Sequence, residues 1–325
     1  MINLHFNVGS ARRVSSLVLA ALLSVASAQA ASETTRLRIV AANLSSGNHQ
    51  NYDGGEGGRI LKGLKADIVL IQEFNYGSNS KEDLEKFVES ACGKECQYYR
   101  ESESTDHLPN GVISRYPIVE SGEWEDLGMP NRDFAYARID IPGDRDLWAI
   151  SVHLSAKKSN VRLEEATVLV ERMAALPARD YVVLGGDFNL VSRTDAVITT
   201  LSPQVFEREA PVTSSGATTT NMNGQKNYDW VLNDADLEAY RVPTTFFTSS
   251  DELQSVGQNV FPTGLVFDCS EFPTFDRVAP AQSTDCRAPG MQHFAVVKDY
   301  AVPSEADGSR LEASPVLSER RKRCH

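Results

Sequence analysis

Asn43, Glu73, His153, Asp187, Asn189, Asp229 and His293 have the side-chain types that metal-assisted hydrolysis of a phosphate ester would use. Such a reaction needs hard oxygen ligands for Mg²⁺, Mn²⁺ or Ca²⁺ and a cation to offset charge on the phosphoryl oxygens. It also needs a base to orient or deprotonate water and an acid to help the alkoxide leave. Glu73 follows an apolar run, where only a partner cation makes a buried carboxylate tolerable. Asp187 and Asn189, two apart in Gly186-Asp187-Phe188-Asn189, project to the same side of an extended turn and could face one phosphate. His153 and His293 titrate near neutral pH, and Asp229 could hold one of the two imidazoles in a single tautomer. Arg132 could clamp a phosphate, although a surface salt bridge accounts for it equally well. Taken singly, each of these residues has an ordinary explanation as a solvated, structural or turn residue.

Their shared placement is harder to explain that way. Leu37–Val40 leads to Asn43, Asp67–Ile71 to Gln72-Glu73, Leu147–Val152 to His153, and Tyr181–Leu184 through Gly185-Gly186 to Asp187 and Asn189. Each run is aliphatic, rich in β-branched residues and of strand length. Each delivers a polar residue at its C-terminal end, where α/β proteins bind ligands. Tyr228–Leu232 and His293–Val297 read as further strands, and Gly111–Asp140 is strand-rich. Helices are expected at Glu56–Lys65, at Lys81–Ala91 with Ser80 as N-cap, and at Val161–Leu176 ending before Pro177. Thr244–Gly290, dense in Ser, Thr, Pro and Gly, reads as loop. Asp53-Gly54-Gly55-Glu56-Gly57-Gly58 matches no phosphate-binding fingerprint and reads as a turn. Asn43-Leu44-Ser45 is a glycosylation sequon, but a glycan there would block the site just described.

The chain opens with Arg12-Arg13, a short apolar run from Val14 to Val25, and Ala28-Gln29-Ala30. That order is a secretory signal, cleaved after Ala30 or else Ala28; a membrane span would need about 20 apolar residues. Residues 31–303 are then expected to be one domain, with no long linker inside it, followed by a polar and disordered tail at 304–325. The expected product is a secreted or periplasmic protein without stable membrane insertion, most simply a monomer. With 32 basic and 44 acidic residues the net charge is −12, which disfavours tight non-specific wrapping of nucleic acid but not metal-assisted binding of a polyanion in a cleft. Five cysteines suit an oxidising compartment. Local pairing joins Cys92 to Cys96 and Cys269 to Cys286 and leaves Cys324 over; zinc is the weaker option for Cys92 and Cys96, since no second pair completes four ligands.

Asn43-Leu44, Gln72-Glu73, Ser151-Val152-His153-Leu154, Gly186-Asp187-Phe188-Asn189, Tyr228-Asp229-Trp230-Val231 and Gln292-His293-Phe294 resemble, in order, the motifs of the endonuclease/exonuclease/phosphatase superfamily. That group includes deoxyribonuclease I, apurinic endonucleases, sphingomyelinases and inositol polyphosphate phosphatases. The resemblance implies a four-layer α/β sandwich of the deoxyribonuclease I type, two packed β-sheets flanked by helices, with the site at one end. It implies Glu73 as the main ligand of Mg²⁺ with Asn43 beside it, and Asp187 and Asn189 as the residues that orient water and phosphate. It further implies an Asp229–His293 pair and a His153 that contacts the phosphate and assists the leaving group. Gln292 stands where the family usually has Asp; it keeps an acceptor oxygen, loses the charge, and predicts weaker metal binding or a one-metal site. The function expected is an exported phosphodiesterase, most simply a nuclease on DNA or RNA. A phosphomonoesterase or a phospholipid hydrolase is the alternative, with Phe246-Phe247 and Phe261 as candidate lipid contacts, although local core packing explains them better. A silent binding module is a third reading, favoured only by Gln292.

Overall fold

The computed structural model describes residues 33–46, 50–102, 107–246 and 259–304. The signal segment, Phe247, Cys324 and the tail from 305 onward lie outside the described residues.

The continuous apolar runs become largely buried strands, and partly exposed strands with polar residues close the sheet edges. In chain order they are β1 (Thr34–Ala42), β2 (Ile68–Ile71), β3 (Gln97–Arg100), β4 (Gly111–Ser114), β5 (Ile118–Trp124), β6 (Phe134–Ile139) and β7 (Leu147–His153). There follow β8 (Tyr181–Leu190), β9 (Asn227–Asn233), β10 (Arg241–Val242), β11 (Thr244–Thr245), β12 (Val260–Phe261), β13 (Leu265–Phe267) and β14 (Ala295–Pro303). One large sheet has the order β10-β14-β1-β2-β4-β3, with β13 also on β14; the other has the order β5-β6-β7-β8-β9, and β11 and β12 form a separate two-stranded pair. Alternate residues of β1 show why the sheets stack. Leu37, Ile39 and Ala41 meet Ala149, Val183 and Val231 of the second sheet in one buried cluster. Val40 and Ala42 point the other way, into a cluster with helices α1 (Glu56–Leu64) and α2 (Lys81–Ala91). On the far side of the second sheet, Ile150, Val152 and Leu184 pack on Ala166, Leu169 and Met173 of helix α3 (Ser159–Ala174). The result is helix, sheet, sheet, helix, the expected four layers.

Strand direction then decides where the polar residues end up. β2 runs parallel to β1, and β8 parallel to β7, so Asn43, Glu73, His153 and Asp187 all emerge at one edge of the sandwich. β9 and β14 run antiparallel to β8 and β1, so it is their N-terminal ends that reach the same edge. Asp229 sits directly across from Asp187 in the ladder.

Several expectations shift in detail. Ser80 caps α2 by accepting from the Asp83 amide, as the sequence suggested. Helix α3 begins at Ser159 with Lys158 as its N-cap, two residues before the expected start. The last strand begins at Ala295 and not at His293, which instead makes an isolated bridge to Asn221. The stretch expected as loop contains β11, β12 and β13 and two short 3₁₀ turns. Cys92–Cys96 and Cys269–Cys286 are disulfides, so zinc at the first pair is ruled out.

Gly186 has φ 136°, and a Cβ built on it would lie 2.1 Å from the Val152 carbonyl oxygen and 2.6 Å from Gln72 Nε2. Both the conformation and the space require glycine. Gly186→Ala should therefore lower stability by about 2–4 kcal/mol, read as a lower urea midpoint; an unchanged midpoint would contradict this close approach.

Candidate active site

Glu73 leaves β2 with φ 51°, a left-handed conformation that is uncommon for a glutamate and costs energy unless its surroundings enforce it. Its carboxylate is 5% exposed. Asn43 Nδ2 donates to Oε1 at 3.2 Å and Gln50 Nε2 at 3.3 Å, while the Ser45 hydroxyl makes a very short bond to Oε2. Burial holds the Glu73 pKa above the ordinary carboxylate value, with the Ser45 bond, His293 and Asn43 pulling the other way. Asp187 is the hub. Its Oδ2 accepts from Asn43 Nδ2 at 3.1 Å and lies 3.2 Å from His153 Nε2 and 3.7 Å from His293 Nε2. Its Oδ1 accepts from the Asn189 amide at 2.9 Å. The β8 bulge that follows Asp187 turns Asn189 to φ 52°, and Asn189 Nδ2 then donates to the Leu154 carbonyl at 3.0 Å.

The two histidines differ in charge. His293 Nδ1 is 2.9 Å from Asp229 Oδ2. Burial disfavours its imidazolium, but Asp229 and Asp187 together outweigh that and raise its pKa to about 10. Asp229 is fully buried, and that burial raises its own pKa to about 7, with His293 pulling the other way. His153 is pulled down to about 3, first by burial and then by Arg132 and His293 against the opposing pull of Asp187. A neutral His153 that donates from Nε2 to Asp187 has a bare Nδ1. That atom is buried without a hydrogen-bond partner, 4.0 Å from Glu73 Oε1.

The expected residues thus converge on one cleft of about 500 Å³, lined by Asn43, Glu73, His153, Asp187, Asn189 and His293 among others. Arg132 lines it too, but not as a surface ion pair: it is 3% exposed and gives Nε to the His153 carbonyl and Nη2 to the Leu154 carbonyl. Gln292 is on the cleft wall, and its side chain is exposed. The sequon residue Asn43 is 1% exposed and committed to two carboxylates, leaving no room for a glycan. Phe246 and Phe261 are buried around Phe272, so they are core and not lipid contacts.

Sequence reasoning missed Ser45 and Gln50, which hold Glu73, and Glu165, which holds the loop after His153. Ser45 had a signal in its spacing, two residues after Asn43; Gln50 had none.

A divalent ion fits this donor set. Among the described residues no three His, Cys, Asp or Glu side chains form a metal cage, but Mg²⁺ seldom uses one, keeping most of its water on one or two carboxylates. A buried carboxylate above its ordinary pKa, facing an unpartnered imidazole nitrogen, is such a place.

The architecture and the match to known families agree. The solved structures that resemble this chain include an endonuclease/exonuclease/phosphatase from Bacteroides vulgatus, at 14% identity and TM-score 0.54 over 82% of this chain and 98% of that one. A functionally unknown conserved protein from Enterococcus faecalis follows at 12% and 0.53, over 81% and 98%. TDP2 of D. rerio, complexed with a single-strand DNA product, gives 15% and 0.50, over 82% and 99%. At these identities the likeness concerns the fold. Curated protein sequences gave no significant match. The family model for the endonuclease/exonuclease/phosphatase family matches residues 4–308, nearly the whole chain. With that match, the α/β sandwich and the convergence of its motif residues in one cleft, the chain belongs to the endonuclease/exonuclease/phosphatase family and is a phosphoric ester hydrolase.

Proposed function

We propose that the protein is an exported, divalent-metal-dependent phosphodiesterase that acts on DNA or RNA. The observation that carries this reading is Asp187, which lies within hydrogen-bonding or ion-pairing reach of His153, His293, Asn43 and the Asn189 amide.

Glu73 would hold the ion, with Asn43 and Ser45 keeping its carboxylate aimed. A bound Mg²⁺ or Mn²⁺ supplies charge neutralisation on the phosphoryl group and a more acidic water. Asp187, accepting from several donors at once, orients and deprotonates the attacking water. His293, kept as imidazolium by Asp229, donates to a phosphoryl oxygen or to the departing alkoxide. His153 is neutral and its free Nδ1 accepts, so the charge states favour His293 over His153 as the acid. Asn189 and Arg132 fix the His153–Leu154 backbone. Nothing in this set depends on the base sequence of a substrate, in keeping with a general phosphodiesterase.

Export rests on the signal-type segment and is supported by two disulfides. Amino-terminal sequencing of the mature protein should begin at Ala31, or at Gln29 by the second choice.

A lipid substrate has one observation in its favour. Leu127 is 85% exposed, two residues before Met129 of the cleft wall. Liposome co-sedimentation with and without Leu127→Ser separates the readings. The main test is hydrolysis of DNA, RNA, a small phosphodiester and a phosphomonoester with and without EDTA, beside His153→Ala. No EDTA-sensitive activity on any of them from folded, Mg²⁺-supplied protein would end the reading.

Gln292→Asp should restore a negative charge to the wall. The expected result is a several-fold lower Mg²⁺ or Mn²⁺ concentration for half-maximal activity, about 3–10-fold for one added carboxylate. Superimposable activation curves would remove Gln292 from the metal site.

A further inference from the structure

We propose that Asp126 and Glu165 form a proton-sharing carboxyl pair that positions His153 by tying both loops of the cleft wall to helix α3. The proposal rests on the reading of His153 given above.

The segment after His153 is gripped at every peptide group. Arg132 takes the His153 and Leu154 carbonyls, and the Leu154 amide donates to the Asp187 carbonyl at 2.8 Å. The Ser155 amide donates to both oxygens of Glu165, at 3.1 and 3.0 Å, and the Ser155 carbonyl accepts from Arg162 at 2.7 Å. Glu165 and Arg162 both come from α3, so the helix holds Ser155 from both sides of one residue. The opposite wall is built on Asp126. Its Oδ1 accepts from the Gly128 amide at 2.8 Å, its own amide donates to Asp133, and the following residues carry Met129 and Arg132 into the cleft. That loop lies hard on α3: a Cβ on Gly128 would be 2.6 Å from Val161 and 3.7 Å from Glu165.

The two walls meet where the carboxyl groups of Asp126 and Glu165 face each other, 5% and 3% exposed. Two ionised carboxylates have no donor between them, and Asp126 Oδ2 is buried without a donor from any other group. One proton between them satisfies that oxygen and removes the repulsion. The charged groups facing the pair are few: Arg132 faces both, Asp133 lies beside Asp126, and Arg162 shares Ser155 with Glu165. Burial and Asp126 raise Glu165 to about 8, so the shared proton is held at neutral pH and lost in mild alkali. Neither carboxyl touches Glu73, Asn43 or Asp187. Loss of the proton would therefore reach the reaction through the backbone that carries His153 and through Arg132, which faces both carboxyls and grips that backbone.

The test compares wild type, Glu165→Gln and Glu165→Leu on a small phosphodiester with Mg²⁺ from pH 6 to 10. Gln offers Asp126 an N–H and still accepts from Ser155 without a proton to lose. Wild-type kcat is expected to fall above pH about 8. Glu165→Gln should keep most of its neutral activity and move that fall upward by a unit or more. Glu165→Leu should lose kcat about 10–100-fold at every pH, the size of effect a small misplacement produces. An alkaline limb unmoved in Glu165→Gln, or wild-type activity in Glu165→Leu, overturns the proposal. A second readout does not need catalysis. A carboxyl with a raised folded pKa stabilises fully below its unfolded value and loses that stabilisation as pH rises through about 8. The Tm of Glu165→Gln relative to wild type should therefore climb between pH 6 and 9. A flat difference overturns the pair even if no substrate is found, whereas a climbing difference without any hydrolysis would indict the phosphodiesterase reading alone.

Discussion

Asp229→Asn should leave the fold intact and lower kcat by about 10³–10⁴, the loss seen when a buried carboxylate that orients a catalytic histidine becomes an amide. Asp229 is fully buried, opposite Asp187 in the β8–β9 ladder, and its Oδ2 is 2.9 Å from His293 Nδ1. The carboxylate serves two purposes there. It fixes the proton on Nδ1, and it is the largest of the influences that keep His293 charged against its burial. An asparagine of the same shape removes the second and can reverse the first by presenting its N–H₂ to the ring. With the charge gone, burial dominates and His293 becomes neutral near pH 7, so the donor to phosphate is lost while Glu73 and the metal site remain. Mg²⁺ activation should consequently keep its midpoint while the plateau collapses. Amide substitution also breaks a buried pair whose charged imidazole the folded state favours, so Tm at neutral pH should fall while unfolding stays cooperative. A variant with more than a tenth of wild-type kcat would show that His293 is structural.

The central strands were legible because they are greasy on both faces, whereas their arrangement in four layers was implied by the family resemblance. β2 and β7 are buried at every position and read as unbroken aliphatic runs, a pattern that sheets covered on both sides produce. β3 was not legible: Gln97-Tyr98-Tyr99-Arg100 is a half-exposed edge strand with polar ends, and its pairing with β4 is set by the tertiary structure. The short strands between Thr244 and Phe267 are two or three residues long, below what periodicity can show. Their apolar residues were visible, and core packing was the favoured reading of Phe246 and Phe261; what the sequence did not show is Phe272 between them.

The candidate site divides along a similar line. Glu73, His153 and Asp187 stood out because each ends an apolar strand, and strand order alone brought them together. The charge on each histidine was beyond reach, since it depends on which charges face it: His293 has Asp229 at its Nδ1 as well as Asp187, whereas for His153 Arg132 and His293 add to burial and Asp187 alone opposes it. Arg132 was visible as a cation but not as a backbone clamp, because its partners are carbonyls that any sequence would supply. Glu165 was hidden for a different reason. In Leu163-Glu164-Glu165 it reads as one more solvated helix position, and only the loop folded over α3 buries it.

Glu73→Gln should abolish metal dependence and lower kcat/KM by about 10³, several kcal/mol of charge stabilisation at the phosphoryl group. The same change should make the metal-free protein more stable. Glu73 is buried at φ 51° with a pKa held above the usual carboxylate value, first by that burial. A raised folded pKa means that its contribution is fully present below the unfolded pKa and lost as pH climbs through the folded one. At neutral pH in EDTA the ionised side chain is therefore a liability. A glutamine in its place would carry no charge, keep an oxygen for Ser45, and pack in the same volume. The expected gain is about 0.5–2 kcal/mol, or a Tm higher by about 2–6 °C for a domain of this size. Wild type should recover the difference when Mg²⁺ is added, because an ion bound only by the folded state raises stability by mass action; the variant should not respond. The crossing of the two Tm series as Mg²⁺ is titrated is the signature of a site built for a cation rather than for packing. If Glu73→Gln instead lowers Tm in EDTA, Glu73 is a structural residue whose bonds to Asn43, Ser45 and Gln50 outweigh its charge, and the cation must be held elsewhere in the cleft.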